Sequence, residues 1–216
     1  MSLGVAIMAG GSGRRLASLG VPKALAPLAG TTLLEHQLDR TARLQPAVTV
    51  VLLHHQAQRI ASQLAARVTP LVESAPLGTA GGLSLLPAGP SAWLVLNVDH
   101  ISDVDLQALV TGWTPPCTAV LSTVDVPVDE GVVTLSAGRV VAWRERPVLQ
   151  LPVTTGLYVF SAAALHEALD GDPVDMPALI ERLMPQGVHA WRHQGTWIDA
   201  GTPERLASAA RFVRSG

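Results

Sequence analysis

Four short runs of apolar residues, separated by stretches with helical spacing, constrain the fold of this chain more than any other feature. The runs are Leu3–Met8, Val48–Leu53, Ala92–Val98 and Ala119–Thr123. They are continuously apolar rather than alternating, as expected for strands that helices cover on both faces. This succession of strands and helices predicts an α/β fold with a mainly parallel sheet.

Helices are predicted between these strands at Thr32–Leu44, His55–Arg67 and Asp103–Thr111. Thr32 and Glu35 have the spacing of a capping box, in which each side chain bonds the other residue's backbone N–H. Ser102 and Asp105 introduce the third helix with the same spacing. These helices alternate with the strands in the βαβα succession of an α/β fold.

The second half predicts a small antiparallel section. Gly131–Leu135 and Arg139–Trp143 flank a turn that contains Gly138, which is typical of a hairpin. Gly156–Phe160 reads as a further strand. Helices are expected at Ala162–Leu169, at Pro177–Met184 and from Thr202 onward, where Thr-Pro-Glu offers an N-cap, a proline at the first helical position and a first-turn acid.

Composition excludes several classes of protein. The chain has 216 residues, 48% hydrophobic and 15% charged, with a formal net charge of −2. Nucleic-acid binders carry basic surfaces, and disordered chains lack enough apolar residues for a core, so both are disfavoured. Residues 1–216 are expected to form one domain. Leu3–Ala9 is too short for a signal or membrane segment, which predicts no membrane association and a cytoplasmic location.

The basic residues are unusual, because 14 of the 15 are Arg and only Lys23 is Lys. Arg replaces Lys readily on a surface, but not where a compact ammonium group is needed. Lys23 is therefore a functional candidate. Cys117 is the single cysteine and has no basic neighbour in sequence, so we assign it no catalytic role.

A glycine-rich segment follows the first strand directly, with Gly10, Gly11 and Gly13 before Arg14 and Arg15. Such a loop brings backbone N–H groups close to a ligand and binds anions well. It matches neither the dinucleotide fingerprint nor the P-loop. Together with the arginines and Lys23, it predicts a phosphate site.

Two aspartates follow strand-like runs, Asp99 after Val95–Val98 and Asp199 after Trp197-Ile198. In open α/β sheets ligands bind at the carboxyl ends of strands, where distant segments meet. Carboxylates beside polyphosphate suit Mg²⁺. His54-His55 is interpreted as a surface pair at a helix start, and the tryptophans in the strand-like runs, Trp143 among them, as core residues.

Taken in order, these segments resemble the sugar-phosphate nucleotidylyltransferases, or nucleotide-sugar pyrophosphorylases. The family pattern is Ala-Gly-Gly-x-Gly-Thr-Arg-Leu, Pro-Lys, Leu-Gly-Thr-Ala-Gly, Asn-Gly-Asp, Glu-Lys-Pro, Asn-x-Gly-Ile-Tyr and Trp-x-Asp-x-Gly-Thr-Pro. The similarity runs from about Val5 to Leu206. It is most like the short guanylyltransferases for heptose or mannose 1-phosphate. It implies a three-layer Rossmann-like fold with a mixed, mainly parallel sheet.

The resemblance also implies roles for individual residues. Arg15, Lys23 and Asp99 would be catalytic, and Asp99 and Asp199 would hold Mg²⁺. Glu73 would read the base; a carboxylate there can accept from N1–H and the 2-amino group of guanine, which favours GTP. Nucleotide contacts are expected from Ala9, Gly10, Gly11, Gly13, Arg14, Glu73, Gly78 and Thr79. Contacts with the acceptor are expected from Glu145, Arg146, Thr155 and Gly156.

The expected reaction joins a nucleoside triphosphate and a sugar 1-phosphate to give a nucleotide sugar and pyrophosphate, and it is compatible with a homodimer. Arg14, Arg146 and Thr154 stand where the family has Thr, Lys and Asn. The acceptor therefore stays open: a heptose or mannose type, a cyclitol phosphate, or N-acetylmuramate 1-phosphate with UTP. Outside this class, the alternative is a sugar-nucleotide sensor without catalysis, which would lack the metal carboxylates.

Overall fold

A computed structural model describes residues 2–66 and 68–215 of the chain. The strands are β1 (Leu3–Met8), β2 (Pro27–Leu28), β3 (Thr31–Thr32), β4 (Val48–Leu53), β5 (Thr69–Val72), β6 (Ala92–Asn97), β7 (His100–Ser102), β8 (Cys117–Pro127), β9 (Val132–Ser136), β10 (Arg139–Arg144), β11 (Val148–Ser161), β12 (Val188–Arg192) and β13 (Trp197–Asp199). The helices are α1 (Leu33–Ala42), α2 (Ala57–Ala61), α3 (Gly78–Gly81), α4 (Leu106–Gly112), α5 (Ala162–Ala168), α6 (Met176–Leu183) and α7 (Pro203–Ser215).

A seven-stranded sheet in the order β12-β8-β11-β6-β1-β4-β5 forms the centre. β1 runs parallel to β4 and β6, β4 to β5, and β8 to β12, while β11 is antiparallel to both of its neighbours. The predicted mixed, mainly parallel sheet is confirmed. The carboxyl ends of β1, β4, β5 and β6 lie at one edge, and the segments that follow them are therefore brought together.

Helices cover both faces of this sheet, and its central strands are therefore buried on both sides. Along β1, Val5 and Ile7 pack into one apolar cluster with residues of α1, α4 and α7, and Ala6 packs into the other with residues of α3, α5 and α6. Gly4 lies on the Trp93 ring, since a Cβ at residue 4 would be 2.5 Å from Trp93 Cε3. The predicted three-layer architecture is confirmed.

Local signals place several elements correctly. β1 and β4 have the predicted bounds. The capping box of α1 is present, with Glu35 N donating to Thr32 Oγ1 at 3.1 Å and Thr32 N donating to Glu35 Oε2 at 3.0 Å. The predicted hairpin forms from β9 and β10 around Gly138, whose φ is 77°.

Two helices differ from the prediction His55–Arg67 and Asp103–Thr111. α2 covers only Ala57–Ala61, because Gln56 has a left-handed backbone with φ of 53° and stops the helix from starting earlier; Arg67 lies outside the described residues. α4 starts at Leu106, because the Asp105 side chain caps it by accepting from Ala108 N at 2.9 Å. Ser102 belongs to β7 instead.

An antiparallel arm, residues 121–154, extends from the sheet. It consists of the outer halves of β8 and β11, which pair from Pro127–Val148 to Leu121–Thr154, and of the β9–β10 hairpin between them. Its apolar side chains are widely exposed, and Trp143 is 65% exposed. The prediction that Trp143 belongs to the core is wrong, because the hairpin forms a separate two-stranded sheet.

A second small sheet joins β7 to β13 with Asp199 opposite His100. This pairing brings a late segment of the chain to the edge where β6 ends. Within the described ranges no helix is both long enough and apolar enough to cross a membrane.

Candidate functional site

The glycine-rich loop lies against Lys23. Gly13 has φ of 59°, and a Cβ there would be 2.8 Å from Lys23 Cβ; a Cβ at Gly11 would be 3.6 Å from Lys23 Nζ. Ala9 is buried, and its N–H already donates to the Leu52 carbonyl at 2.9 Å. The loop glycines therefore offer the open surface next to the ammonium group, while the Ala9 amide is engaged in the sheet.

Lys23 and Asp99 form the central ion pair of the site. Lys23 Nζ donates to Asp99 Oδ2 at 3.0 Å, and the Asp99 side chain is only 6% exposed. Burial alone would raise the pKa of the Asp99 carboxyl, but the charges of Lys23 and His100 and the Lys23 hydrogen bond outweigh it. The net result is a pKa below the ordinary 3.8, so that Asp99 is a carboxylate at neutral pH.

Asp199 reaches Asp99 through the β7–β13 pairing, which a hydrogen bond from Ala200 N to the Asp99 carbonyl extends at 2.8 Å. One ligand atom each of Asp99, His100 and Asp199 lies within 4.8 Å of the other two. Carboxylate oxygens are the donors that Mg²⁺ prefers, and imidazole suits other divalent ions. This donor set fits a divalent cation. His100 was not predicted, although its place beside Asp99 was a signal.

Arginines surround Asp199 on the solvent side. Arg205 Nη1 lies 3.2 Å and Arg15 Nη2 3.9 Å from Asp199 Oδ2. Arg14 and Arg15 are exposed and line a cavity of about 340 Å³, together with Gly13, Lys23 and Gly201. This cationic cavity adjoins the carboxylates and could accept an anion such as pyrophosphate.

A larger cavity of about 460 Å³ shares Lys23 with the first one. Its volume is in the range of sites for small ligands. Polar groups of the loop and of β6 line it, and so do Glu73 and several apolar side chains. Its lining includes Met8, Gly10, Gly11, Leu52, His54, Glu73, Pro76, Gly78, Thr79, Asn97, Asp99 and Met176.

The residues around Glu73 are closely packed. Glu73 Oε2 accepts from Leu77 N at 3.2 Å, and a side chain at Gly82 would collide with Glu73 Oε1, which lies 2.6 Å from the Cβ position. Gly78 has φ of 80° and abuts the Val174 carbonyl. Thr79 Oγ1 accepts from Met176 N at 2.8 Å. These contacts hold the loop after β5 in place beside the cavity.

His54 also lines this cavity, and the interpretation of His54-His55 as a surface pair is wrong for His54. The residue follows β4 at the functional edge of the sheet, and its Nδ1 is shielded from solvent without a hydrogen-bond partner among the described residues. No motif singled it out, but its position directly after a buried parallel strand was a usable signal.

The residues predicted to contact the acceptor substrate lie in two different places. Gly156 has φ of 71° and lies against Asn97 and His100, and a Cβ there would be 2.5 Å from Asn97 Nδ2. Thr155 is buried, and its Oγ1 donates to the Val120 carbonyl at 3.0 Å. Its own carbonyl accepts from Trp197 Nε1 and bonds His100 Nδ1. Both the side chain and the carbonyl of Thr155 are therefore engaged within the fold.

Glu145 and Arg146 are not brought into either cavity. Both are exposed and lie between β10 and β11 at the base of the hairpin. Glu145 Oε2 accepts from Trp143 Nε1 at 3.0 Å, and Arg146 has φ of 41°. Their proposed contact with an acceptor thus depends on a substrate that reaches from the cavity to the arm.

The chain is similar to proteins of known activity. A family model described as "Nucleotidyl transferase" matches residues 5–216. Mannose-1-phosphate guanyltransferase beta-B of Xenopus laevis is 31% identical over 222 residues, which cover 92% of this chain and 61% of that protein. N-acetylmuramate alpha-1-phosphate uridylyltransferase of Caulobacter vibrioides is 29% identical over 236 residues, covering 97% and 96% of the two chains.

The fold also matches a solved structure. A putative glucose-1-phosphate thymidylyltransferase from Bacillus anthracis, in complex with a sucrose, superposes with a TM-score of 0.80 at 20% identity, over 100% of this chain and 96% of that one. The chain spans about three-fifths of the length of the mannose-1-phosphate guanylyltransferases that it matches.

Proposed function

We propose a reaction for this chain on the premise, now established, that it belongs to the nucleotidyl transferase family. The chain transfers a nucleotidyl group from a nucleoside triphosphate to a sugar 1-phosphate and releases pyrophosphate. The observation that carries the proposal is the meeting of the glycine-rich loop, Lys23, Asp99 and Asp199 at one edge of the sheet. Residues 1–216 act as a single domain in this proposal.

In this proposal Lys23 holds the reacting phosphate. An oxygen of the sugar phosphate attacks the α-phosphorus, and the bond from the α-phosphorus to the bridging oxygen of the pyrophosphate breaks on the opposite side. The attacking oxygen is already ionised at neutral pH, so the protein supplies no general base. Its contribution is to position the reactants and to neutralise charge. Lys23 faces both cavities and can contact phosphate oxygens throughout the transfer.

The loop glycines and the arginines complete the phosphate site. Gly10, Gly11 and Gly13 allow the triphosphate to approach the backbone, and Arg15 receives the departing pyrophosphate in the smaller cavity, with Arg14 adding charge at its rim.

Asp99 and Asp199 hold the metal ion, which we assign as Mg²⁺. The nearness of their ligand atoms supports this role, since the described carboxylates and His100 fit a divalent cation. A bound Mg²⁺ supplies charge neutralisation on the phosphates. The presence of both carboxylates disfavours a sensor without catalysis.

GTP is the proposed nucleotide. Glu73 follows β5 and Asp99 follows β6, and β1 and β4 lie between these two strands, so that Glu73 is separated from the carboxylates as a base-reading group must be. Its carboxylate can accept from N1–H and the 2-amino group of guanine. Similarity to mannose-1-phosphate guanyltransferase supports GTP with a mannose- or heptose-type 1-phosphate as acceptor.

A second candidate pair is UTP with N-acetylmuramate 1-phosphate. The observation that favours it is the Caulobacter uridylyltransferase, which this chain matches over 96% of that protein's length. Uracil offers one N–H next to a keto oxygen, and the Glu73 carboxylate can accept from that N–H.

A homodimer is a further part of the proposal, since the exposed apolar residues of the arm offer a surface for a second copy.

Pyrophosphate release tests the proposal. We expect release with Mg²⁺ for one nucleotide out of GTP, UTP, ATP, CTP and dTTP, each offered with a panel of sugar and cyclitol 1-phosphates. Turnover confined to GTP supports the guanylyltransferase assignment, and turnover confined to UTP supports the second candidate. Tight nucleotide binding without release by any pair contradicts the transfer reaction and supports a sensor.

A further inference from the structure

We propose that His54 reads the base of the nucleotide by donating a hydrogen bond to its keto oxygen, and thereby selects guanine or uracil against adenine and cytosine. The inference rests on the proposed nucleotidyl transfer and adds a specificity residue to it. It starts from an unsatisfied group: the shielded His54 Nδ1, which has no hydrogen-bond partner among the described residues.

The backbone sets His54 and Glu73 side by side. β4 and β5 are parallel with Leu53 opposite Val72, so that the next residue of each strand is His54 and Glu73. A hydrogen bond from Glu73 N to the Leu53 carbonyl, at 2.8 Å, continues the ladder past the strand ends. Both side chains line the larger cavity.

Gly10 fixes the other side of His54. A Cβ at residue 10 would be 3.1 Å from His54 N and 3.3 Å from His54 Cβ, and the Gly10 carbonyl accepts from His55 N at 3.2 Å. His54 thus lies between the glycine-rich loop and Glu73, where a nucleotide with phosphates on the loop and a base at Glu73 must pass.

The burial of His54 Nδ1 indicates which of the two ring nitrogens carries the proton. Buried N–H groups without an acceptor are rarer than buried acceptors without a donor, which favours Nδ1 without a proton. The proton then resides on Nε2, on the opposite edge of the ring. Since Nδ1 is shielded while the residue lines the cavity, Nε2–H is the donor available to a ligand.

A donor beside an acceptor matches only some bases. Guanine presents a keto oxygen next to N1–H and the 2-amino group, and uracil presents a keto oxygen next to N3–H. These edges pair with Nε2–H of His54 and the carboxylate of Glu73. Adenine and cytosine present an amino group next to a ring nitrogen that accepts, so that donor would face donor and acceptor would face acceptor.

The test replaces one atom of the nucleotide. 6-Thio-GTP keeps N1–H and the 2-amino group for Glu73 but offers sulfur, a weak acceptor, in place of O6. We expect wild type to bind 6-thio-GTP about tenfold more weakly than GTP, measured by calorimetry, since one hydrogen bond is lost. His54→Leu should bind both nucleotides with nearly the same Kd, and His54→Gln, which keeps a donor, should restore part of the difference.

Three controls make the outcome decisive. His55→Leu changes the adjacent exposed histidine and should leave every Kd at the wild-type value. ITP lacks only the 2-amino group facing Glu73, so its Kd relative to GTP should be the same in wild type and His54→Leu. Where UTP is the nucleotide that binds, UTP and 4-thio-UTP replace the guanine pair.

If His54→Leu kept the wild-type ratio of the Kd values for 6-thio-GTP and GTP, the inference would be overturned. An equal rise of both Kd values would then reduce His54 to a packing role, and unchanged Kd values would leave it with no role in binding. If wild type releases pyrophosphate in either case, the proposed reaction stands and only the role of His54 falls. If wild type binds no nucleoside triphosphate, both are contradicted.

Discussion

Lys23 Nζ lies 3.0 Å from Asp99 Oδ2, and this ion pair joins two segments that are 76 positions apart in the chain. One partner faces both cavities, and the other belongs to the group of residues that fits a metal ion. Without substrate, the ammonium group and the carboxylate therefore neutralise each other at the place where phosphate and metal are proposed to bind. When phosphate binds Lys23 and a metal ion binds Asp99, neither of the two buried charges is left alone.

Lys23→Arg tests whether this place needs a compact ammonium group. The planar guanidinium is longer, and Gly11 and Gly13 pack closely around the lysine side chain. We expect the rate of pyrophosphate release to fall about 100-fold, the cost of one misplaced donor at a reacting centre. Arg211→Lys on the surface of α7 is the matched control and should keep its rate. Equal rates for wild type and Lys23→Arg would mean that the single lysine has no special role.

Asp199→Asn tests the metal site separately from catalysis. The substitution removes a charged ligand while its shape and the contact with Gly201 N can remain. We expect Mn²⁺, used as a paramagnetic probe, to bind at least about tenfold more weakly, as judged by the free-ion signal in electron paramagnetic resonance. Asp125→Asn, at an exposed carboxylate that accepts from Gln150, should bind Mn²⁺ as wild type does. Unchanged affinity in Asp199→Asn would exclude this residue as a ligand.

Acid should remove the stabilisation that Asp99 provides. Its pKa is lowered in the folded protein, so the carboxylate stabilises the fold at pH values above the ordinary 3.8, and this contribution disappears as the pH falls through the depressed value. We expect the free energy of unfolding of wild type to exceed that of Asp99→Asn by about 2 kcal/mol near neutral pH.

Urea unfolding of both proteins over a pH series measures this difference. It should be constant from neutral pH down to about pH 5 and shrink below the ordinary carboxyl pKa of 3.8. A difference that persists undiminished through the acid range, or one that grows there, would contradict the ion pair as the source of the lowered pKa.

Cys117 should be unreactive while the protein is folded. The residue is fully buried at the start of β8, and burial raises the pKa of its thiol to about 12. Because thiolate is the reactive form, we expect no reaction with Ellman's reagent at mildly alkaline pH in buffer, and one thiol per chain in concentrated guanidinium chloride. Rapid reaction of the native protein would show that β8 opens far more often than a central strand should.

Local and short-range signals predicted most of the fold. The apolar runs gave the central strands, and the Thr32–Glu35 pair gave the start of α1, because these features depend on residues near in sequence. The length of the strands in the arm was not predicted. Residues before Gly156 belong to β11 only because they pair with β8, and a pairing between strands so far apart leaves no local pattern.

The site divides in the same way. The loop glycines, Lys23 and the two aspartates stand in recognisable motifs, and the structure places them around one edge. His54 and His100 stand in none. His54 becomes part of the cavity through the register of β4 and β5, and His100 joins Asp199 through β7 and β13. Both relationships arise from strand pairing, which a single sequence does not display.

The pairing of β13 with β7 also has a consequence for the growing polypeptide. All seven strands of the central sheet lie before His193, whereas Asp199 comes later and joins a separate small sheet. A nascent chain that has emerged as far as Arg192 therefore carries every strand of the central sheet, whereas Asp199 and helix α7, which packs on one face of that sheet, have yet to leave the ribosome. Asp199 can therefore join Asp99 only after all strands of the central sheet have emerged.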